Sequence, residues 1–156
     1  MARADVMHLT LRPAVDSDFE ACRRTYFAEH GWIDERLNLA RDGQEANFRR
    51  LWTASQVRII QLEGTNVGWL QTVPRDEEYF LGTLVIDGAF QRRGVGTEVM
   101  KRVLEEGARR GQPVRLSVVK FNPARRLYER LGFQVTHEDE HKVYMTSTLD
   151  PTADVG

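Results

Sequence analysis

The sequence predicts a single α/β domain. Three observations point there. Segments that alternate with period two interleave with segments of helical period, an apolar run at residues 84–86 passes through a glycine-bearing turn straight into a helical pattern, and the composition is that of a packed soluble protein. The chain has 156 residues, 41% hydrophobic and 9% aromatic, enough for one compact unit with a real core.

Each element has a local reason. Residues 8–12 (His-Leu-Thr-Leu-Arg) alternate as a first strand, which Pro13 ends. Asp16 or Ser17 offers an N-cap, and Ser17 with Glu20 matches a capping box, so a helix is expected over 17–29, stopping before Gly31. A second helical pattern covers 34–54, with Leu37, Ala40, Phe48, Leu51 and Trp52 near one face; Gly43 in its middle costs about 1 kcal/mol relative to alanine and predicts a bend or a split. From Val57 the period changes to two. Residues 57–62 and 67–73 make a hairpin across a turn at 63–66, and 78–86 form the long central strand after a turn at 74–76. A helix over 95–110 ends at Gly111, Val114, Leu116 and Val118 alternate as a strand, and Asn122-Pro123 opens a helix that Gly132 stops. Residues 133–137 and 141–146 close the chain as a hairpin, and the polar tail 150–156 is expected to fray.

The stretch from Leu84 to Thr97 carries the first chemical signal. Val95, Val99, Met100, Val103 and Leu104 recur at helical spacing, so the amides of roughly residues 92–97 fall where a helix leaves its first N–H groups unpaired. Those donors and the positive end of the helix dipole favour an anion, and Gly94 and Gly96 carry no Cβ to keep phosphate oxygens away. A nucleotide P-loop would need lysine after the second glycine, where Thr97 stands, and a dinucleotide fingerprint would need a third glycine, where Val99 stands. What remains is Gln91-x-x-Gly94-x-Gly96. Further on, Asn122-Pro123-Ala124-Arg125-Arg126-Leu127-Tyr128-Glu129-Arg130-Leu131-Gly132-Phe133 forms a second constellation.

With these two motifs the chain resembles the GCN5-related N-acetyltransferase (GNAT) superfamily, and the order of elements resembles that fold over nearly the whole chain. The resemblance implies an α/β (α+β three-layer) domain over residues 1–149, its mixed sheet of about seven strands flanked by helices, and acetyl-CoA (coenzyme A) as cofactor. The fourth and fifth strands would run parallel and splay apart to admit the pantetheine arm. It implies cofactor contacts from Leu84, Val85, Ile86, Gln91, Arg92, Arg93, Gly94, Val95, Gly96, Thr97, Asn122, Arg125 and Tyr128. An amide near Val85 would face the thioester carbonyl, a kind of donor typically worth about 2.7–4 kcal/mol of barrier. Tyr128 would act as general acid toward the departing sulfur, a phenol near 10 facing a thiol near 8.5.

The acceptor amine must arrive neutral, and an ammonium of pKa about 10.4 is neutral in only about one molecule in 2,500 at pH 7, a cost of about 4.6 kcal/mol. Many family members place a glutamate eleven positions before the loop glutamine, where this chain has Phe80. Glu78, on the same strand face, is the nearest substitute as base, and a water chain is the alternative. The resemblance puts the acceptor near Tyr26, Glu29, His30, Trp32, Asp34 and Glu35, opposite residues such as Glu138, Asp139, Glu140 and His141; the excess of carboxylates favours a cationic amine, with Tyr26 or Trp32 packing on it.

Charge and cysteine content narrow the rest. With 22 basic and 23 acidic residues the net charge is −1, which argues against nucleic-acid or polybasic membrane binding. No apolar run reaches the length of a signal core or a membrane span, so a cytoplasmic location is the expectation. The single cysteine, Cys22, reads as a buried thiol, and the four histidines show no metal-ligand spacing. The expected activity is acetyl transfer to a primary amine, small-molecule or peptide, by direct attack in a ternary complex; the rival is a non-catalytic acyl-CoA-binding domain, which the missing carboxylate at Phe80 favours. Homodimers are offered by analogy alone.

Overall fold

The structure is a computed structural model that describes residues 8–148; the expected frayed tail lies outside the described residues. Its strands are β1 (Leu9–Pro13), β2 (Val57–Leu62), β3 (Thr65–Pro74), β4 (Tyr79–Ile86), β5 (Val114–Val119), β6 (Gln134–Glu138) and β7 (Lys142–Thr146). The helices are α1 (Phe19–Arg36), α2 (Arg41–Leu51), α3 (Val95–Arg109) and α4 (Ala124–Arg130). One seven-stranded sheet runs in the order β1-β2-β3-β4-β5-β7-β6, mixed because β4 and β5 are parallel while β1–β2, β2–β3, β5–β7 and β6–β7 are antiparallel. The α/β class and the order of elements are as expected from the sequence.

The helix boundaries differ in instructive ways. A turn of 3₁₀ helix at Asp16–Asp18 precedes α1; Asp18 stands at the N-cap of α1 without a side-chain capping bond, and its carboxylate instead closes the 3₁₀ turn. Asp18 Oδ2 accepts the Val15 N–H at 2.8 Å, and both its oxygens meet the Arg12 guanidinium at 3.1 Å. The chain does not stop at Gly31. It continues to Arg36 because Ile33 is buried, and it ends where Asn38 turns left-handed (φ 59°). There Asn38 N–H donates to Glu35 O at 3.0 Å and Leu39 N–H to Asp34 O at 2.9 Å, the paired bonds of a Schellman termination. The second helix is accordingly shorter than its pattern, Arg41–Leu51, and Gly43 falls in its first turn, so it needs no bend.

By proximity the chain falls into two compact units, one joining Thr83–Gly96 to the residues before Thr72, the other joining Thr72–Gly82 to the residues from Thr97 onward. In the first unit Cys22 and Phe27 of α1, Phe48 of α2, Val57 and Ile59 of β2, Trp69 of β3 and Val85 of β4 form one apolar cluster. Trp69 Nε1 donates to Cys22 O at 3.1 Å, so the indole is buried without an unmet donor. Gly68 of β3 is a packing requirement: a Cβ there would stand 2.1 Å from Val85 O on β4. In the second unit Tyr79 hydroxyl meets Glu106 Oε1 at 2.8 Å and Thr72 Oγ1 at 3.1 Å, tying β4 and β3 to α3.

Candidate active site

The loop after β4 is built by its neighbours rather than by its own sequence. Asp87 N–H donates to Val67 O at 2.8 Å, and Asp87 Oδ1 accepts the Ala89 N–H at 3.0 Å. From α1, Glu29 Oε2 accepts the Gly88 N–H at 2.9 Å and its Oε1 accepts Gln91 Nε2 at 3.0 Å, while the same Nε2 donates to Ile86 O at 2.8 Å. Glu29, expected at the acceptor, and Gln91, expected at the cofactor, thus both brace the loop, Glu29 through one bond to each carboxylate oxygen and Gln91 through its Nε2.

Beyond the brace, Arg92 (φ 64°) and Gly94 (φ 85°) are both left-handed, and α3 begins at Val95. A non-glycine residue in that region costs on the order of 1–3 kcal/mol and persists only where the surroundings impose it. Such a backbone turns successive N–H groups inward as an anion cradle, and the first four N–H groups of α3, from Val95 through Glu98, have no carbonyl one turn back. The cradle therefore fits the diphosphate of coenzyme A. Arg92 and Arg93 are exposed on it, the Arg93 guanidinium 5.4 Å from the Phe90 ring, while Gly96 and Thr97 are half-buried. Leu84 and Ile86 are half-buried and Val85 is fully buried on β4, which orients its backbone.

In the second unit, Asn122 Oδ1 accepts the Ala124 N–H at 2.9 Å, so it caps α4 and keeps only its Nδ2 for a ligand. Arg125 Nε pairs with Glu129 at 3.0 Å. Tyr128 is buried, its ring 5.9 Å from that of Phe133, and burial pushes its phenol up to about 12. Glu78 lies in the turn before β4, one residue outside the strand expected to contain it. Its carboxylate is engaged by Arg75 at 3.0 Å and Arg115 at 3.5 Å. The Arg75 guanidinium also covers Phe80, 4.0 Å from its ring centre, so a cation stands at the position where the resemblance implied a glutamate.

The residues expected for the acceptor separate. Trp32 and Glu35 are exposed on the last turns of α1. Tyr26, His30 and Asp34 share one face of α1 at steps of four, with the Tyr26 and His30 rings 5.0 Å apart. Burial raises Tyr26 to about 12, with a further push from the Asp34 charge, and burial lowers His30. Tyr26 opens onto a cavity of about 70 Å³ lined also by Gln44, Asn47, Phe48, Leu51, Trp52, Trp69, Gln71 and Thr83. None of those eight was singled out for a site from the sequence. They come from α2, β3 and β4 and the segment following α2, and their pattern marks them only as core and helix-surface positions. In the expected opposing region, Glu138 pairs with Lys120 at 2.9 Å, and Asp139 accepts from the His141 and Lys142 N–H groups and the Tyr144 hydroxyl. Among the described residues no three His, Cys, Asp or Glu side chains gather as a metal site, and no helix is long and apolar enough to cross a membrane.

Comparison with known proteins identifies the family. The model of the acetyltransferase (GNAT) family matches residues 14–133. A Bacillus subtilis (strain 168) protein named uncharacterized N-acetyltransferase YsnE is 39% identical over 69 residues, a match covering 37% of this chain and 45% of that protein, less than half the relative's length. Among solved structures, the PaiA N-acetyltransferase of Thermoplasma acidophilum, crystallised with coenzyme A, has a TM-score of 0.72 at 15% identity, covering 91% of this chain and 99% of its own. The ribosomal-protein-S18-alanine N-acetyltransferase of Escherichia coli has a TM-score of 0.70 at 19% identity, with coverages of 91% and 94%. Those two likenesses show the fold, while the family match covers the anion cradle and the helix of Tyr128 together. The chain belongs to the GNAT family of acetyltransferases.

Proposed function

We propose that this protein is an acetyl-CoA-dependent N-acetyltransferase that acetylates a primary amine by direct attack in a ternary complex. The observation that carries the reading is the braced loop. Residues 92–94 hold an uncommon backbone conformation in front of α3, and Glu29 and Gln91 keep it there before any ligand arrives. Such preorganisation is what a diphosphate site requires.

Bound acetyl-CoA would supply the activated acetyl thioester. The amides of Gly94, Val95, Gly96 and Thr97 would hold its diphosphate, with Arg92 and Arg93 adding charge; Leu84, Val85 and Ile86 would present backbone groups to the pantetheine arm and the thioester oxygen. Asn122 would donate from Nδ2, and Arg125 would stand beside the cofactor. Tyr128, with its phenol pushed up to about 12, keeps its proton at neutral pH. Against a thiol near 8.5, giving that proton away completely is uphill by roughly 5 kcal/mol at about 1.36 kcal/mol per unit. Tyr128 therefore serves as a hydrogen-bond donor to the leaving sulfur more than as a full acid. Glu78 is held by two arginines at the far end of β4 from the loop, so water takes the amine's proton in this reading.

A second reading, a domain that binds acyl-CoA without turnover, is favoured by Phe80 and the Arg75 cation above it. Isothermal titration of acetyl-CoA into the wild-type protein and a Gly94→Asp variant, followed by a free-thiol assay with amines, separates the two. Binding that Gly94→Asp abolishes, with thiol release that Tyr128→Phe slows at unchanged acetyl-CoA affinity, is the expected result. Binding without release on any amine supports the second reading, and no binding by the wild type sinks both.

A further inference from the structure

The aromatic cavity of the first unit is lined by hydrogen-bonding groups that core packing leaves unused. Rings of Tyr26, Phe48, Trp52 and Trp69 form its apolar walls, and none of the residues lining it carries a charge. Gln71, buried on β3, spends both Nε2 hydrogens, on Leu51 O and Gln56 Oε1 at 2.9 Å. Because the backbone carbonyl of Leu51 only accepts, the end of the amide that faces it is the nitrogen. The Gln71 Oε1 therefore stands without a donor, and the Tyr26 and Thr83 hydroxyls have no partner among the described residues either. Among those residues the unpartnered side-chain atoms that are closed off are Asp34 Oδ2 and Trp52 Nε1, so the Gln71 oxygen and the two hydroxyls are open. Three unspent groups, from α1, β3 and β4, thus line one uncharged cavity, and one of them is a pure acceptor.

We infer that this cavity takes the acceptor as a neutral amine, and so selects weakly basic amines, α-amino groups among them, over alkylammonium ions. It rests on the transferase reading for the reaction and on the cavity for the selectivity. The preference is opposite to the cationic amine expected from the carboxylates of residues 138–140. A neutral nitrogen donates an N–H to Gln71 Oε1 and keeps its lone pair for the thioester carbon. An ammonium in the same place has neither lone pair nor counter-charge. Its attraction to the rings is smaller than the cost of desolvating it unpaired. The rings also engage one another already, Phe48 and Trp69 edge to face at 5.8 Å and Tyr26 and Phe48 at 5.1 Å. Proton balance agrees. As the N–C bond forms and the C–S bond breaks, the one proton that a neutral amine loses is the one that the sulfur gains, so no base is consumed. An ammonium carries a further proton that a base must remove, and Glu78, the carboxylate that the sequence offers for that role, is held by Arg75 and Arg115. At pH 7 about one α-amino group in eight is neutral, against about one alkylamine in 2,500. The volume, about 70 Å³, holds only a few water-sized groups, so the part of the acceptor next to its nitrogen is small.

Tyr26, Cys22 and His30 stay neutral from pH 7 to 9. Burial pushes Tyr26 up to about 12 and Cys22 up to about 11, and it pushes His30, whose ring is 5.0 Å from that of Tyr26, below its ordinary 6.5. Asp34 and Arg50 bond Gln44 and Asn47 from outside the lining. The test is therefore isothermal titration of the full chain across that range, with and without coenzyme A, using ethylamine and its weakly basic analogue 2,2,2-trifluoroethylamine. At pH 7 the fluorinated amine is expected to bind tighter by about tenfold or more, with an affinity that does not change with pH, while that of ethylamine rises about tenfold per unit as its neutral form gains. Alaninamide, an α-amine, should gain up to about pH 8 and then level off. Gln71→Glu, which puts a carboxylate in the lining, should make ethylamine the tighter ligand and flatten its pH dependence. Asn47→Phe, which fills the cavity from α2, should abolish binding of all three. Coenzyme A affinity within about twofold of wild type reports that the variants fold, and the wild-type pH profiles decide alone where one does not. Ethylamine bound as tightly as its analogue at pH 7, an ethylamine affinity flat with pH, no amine binding in either state, or affinities insensitive to both substitutions would overturn the inference. Selective binding of the weakly basic amines by a protein that does not bind acetyl-CoA would uphold the pocket and remove the transferase reading.

Discussion

Replacing Gly68 by alanine tests whether the β3–β4 contact holds the site in place. The added Cβ would sit 2.1 Å from Val85 O and 3.1 Å from Ile86 Cα, and both are backbone atoms that no rotamer change can move. Ordinary carbon–oxygen contact needs more than 1 Å of additional separation, so β4 must shift bodily at the residues expected to face the thioester. Overpacking of this kind costs typically 1–3 kcal/mol, and a backbone obstacle belongs at the upper end, about 3 kcal/mol. For a domain of this size that lowers Tm by roughly 6–12 °C, at about 2–4 °C per kcal/mol. Gly43→Ala is the control, because a Cβ there meets nothing within 4 Å and the residue lies in α2, so no loss of stability is expected. Thermal unfolding followed by circular dichroism reads both variants, and titration with acetyl-CoA reads the displacement of Val85. A Gly68→Ala protein that melts within 2 °C of wild type would refute the reasoning.

Glu29→Ala removes both exposed bonds from α1 that brace the loop, and is expected to weaken acetyl-CoA binding about fivefold, at about 1 kcal/mol. Tighter binding by the variant would mean that repulsion from the diphosphate outweighs the brace. Asp139 is held down at about 2, against an ordinary 3.8, chiefly by the Lys142 N–H, then by the Tyr144 hydroxyl and the His141 N–H. Its depressed value makes it stabilising above about pH 4, with the contribution lost as pH falls toward 2. Hydrogen exchange at the His141 and Lys142 amides should therefore accelerate over that window in wild type and show no such step in Asp139→Ala. Burial pushes the Cys22 thiol up to about 11, so thiol reagents at pH 8 should label it only as fast as the protein unfolds; rapid labelling of the folded protein would contradict that.

The sequence by itself determined the class of fold, the order of its elements and the place of the glycine-bearing turn before α3. Strand alternation, helix periodicity and the Gln91-x-x-Gly94-x-Gly96 string are local properties, set by how each residue packs and turns among its immediate neighbours. The end of α1 was legible only in part: glycine at position 31 reads as a stop, yet burial of Ile33 carries the helix past it, and Asn38 supplies the left-handed residue instead. Only the tertiary structure decided that Glu29 and Gln91 meet, because Glu29 lies on α1 and its partners Gly88 and Gln91 lie about sixty residues further on. The same holds for Glu78, whose charge is engaged by Arg115, distant in sequence. It holds most of all for the cavity. Its rings and amides are scattered from Tyr26 to Thr83, each reads as an ordinary core or surface residue, and the unpartnered Nε1 of Trp52 exists only once the helices have packed around it. An unmet hydrogen bond is a property of a whole neighbourhood, and a linear sequence does not contain neighbourhoods.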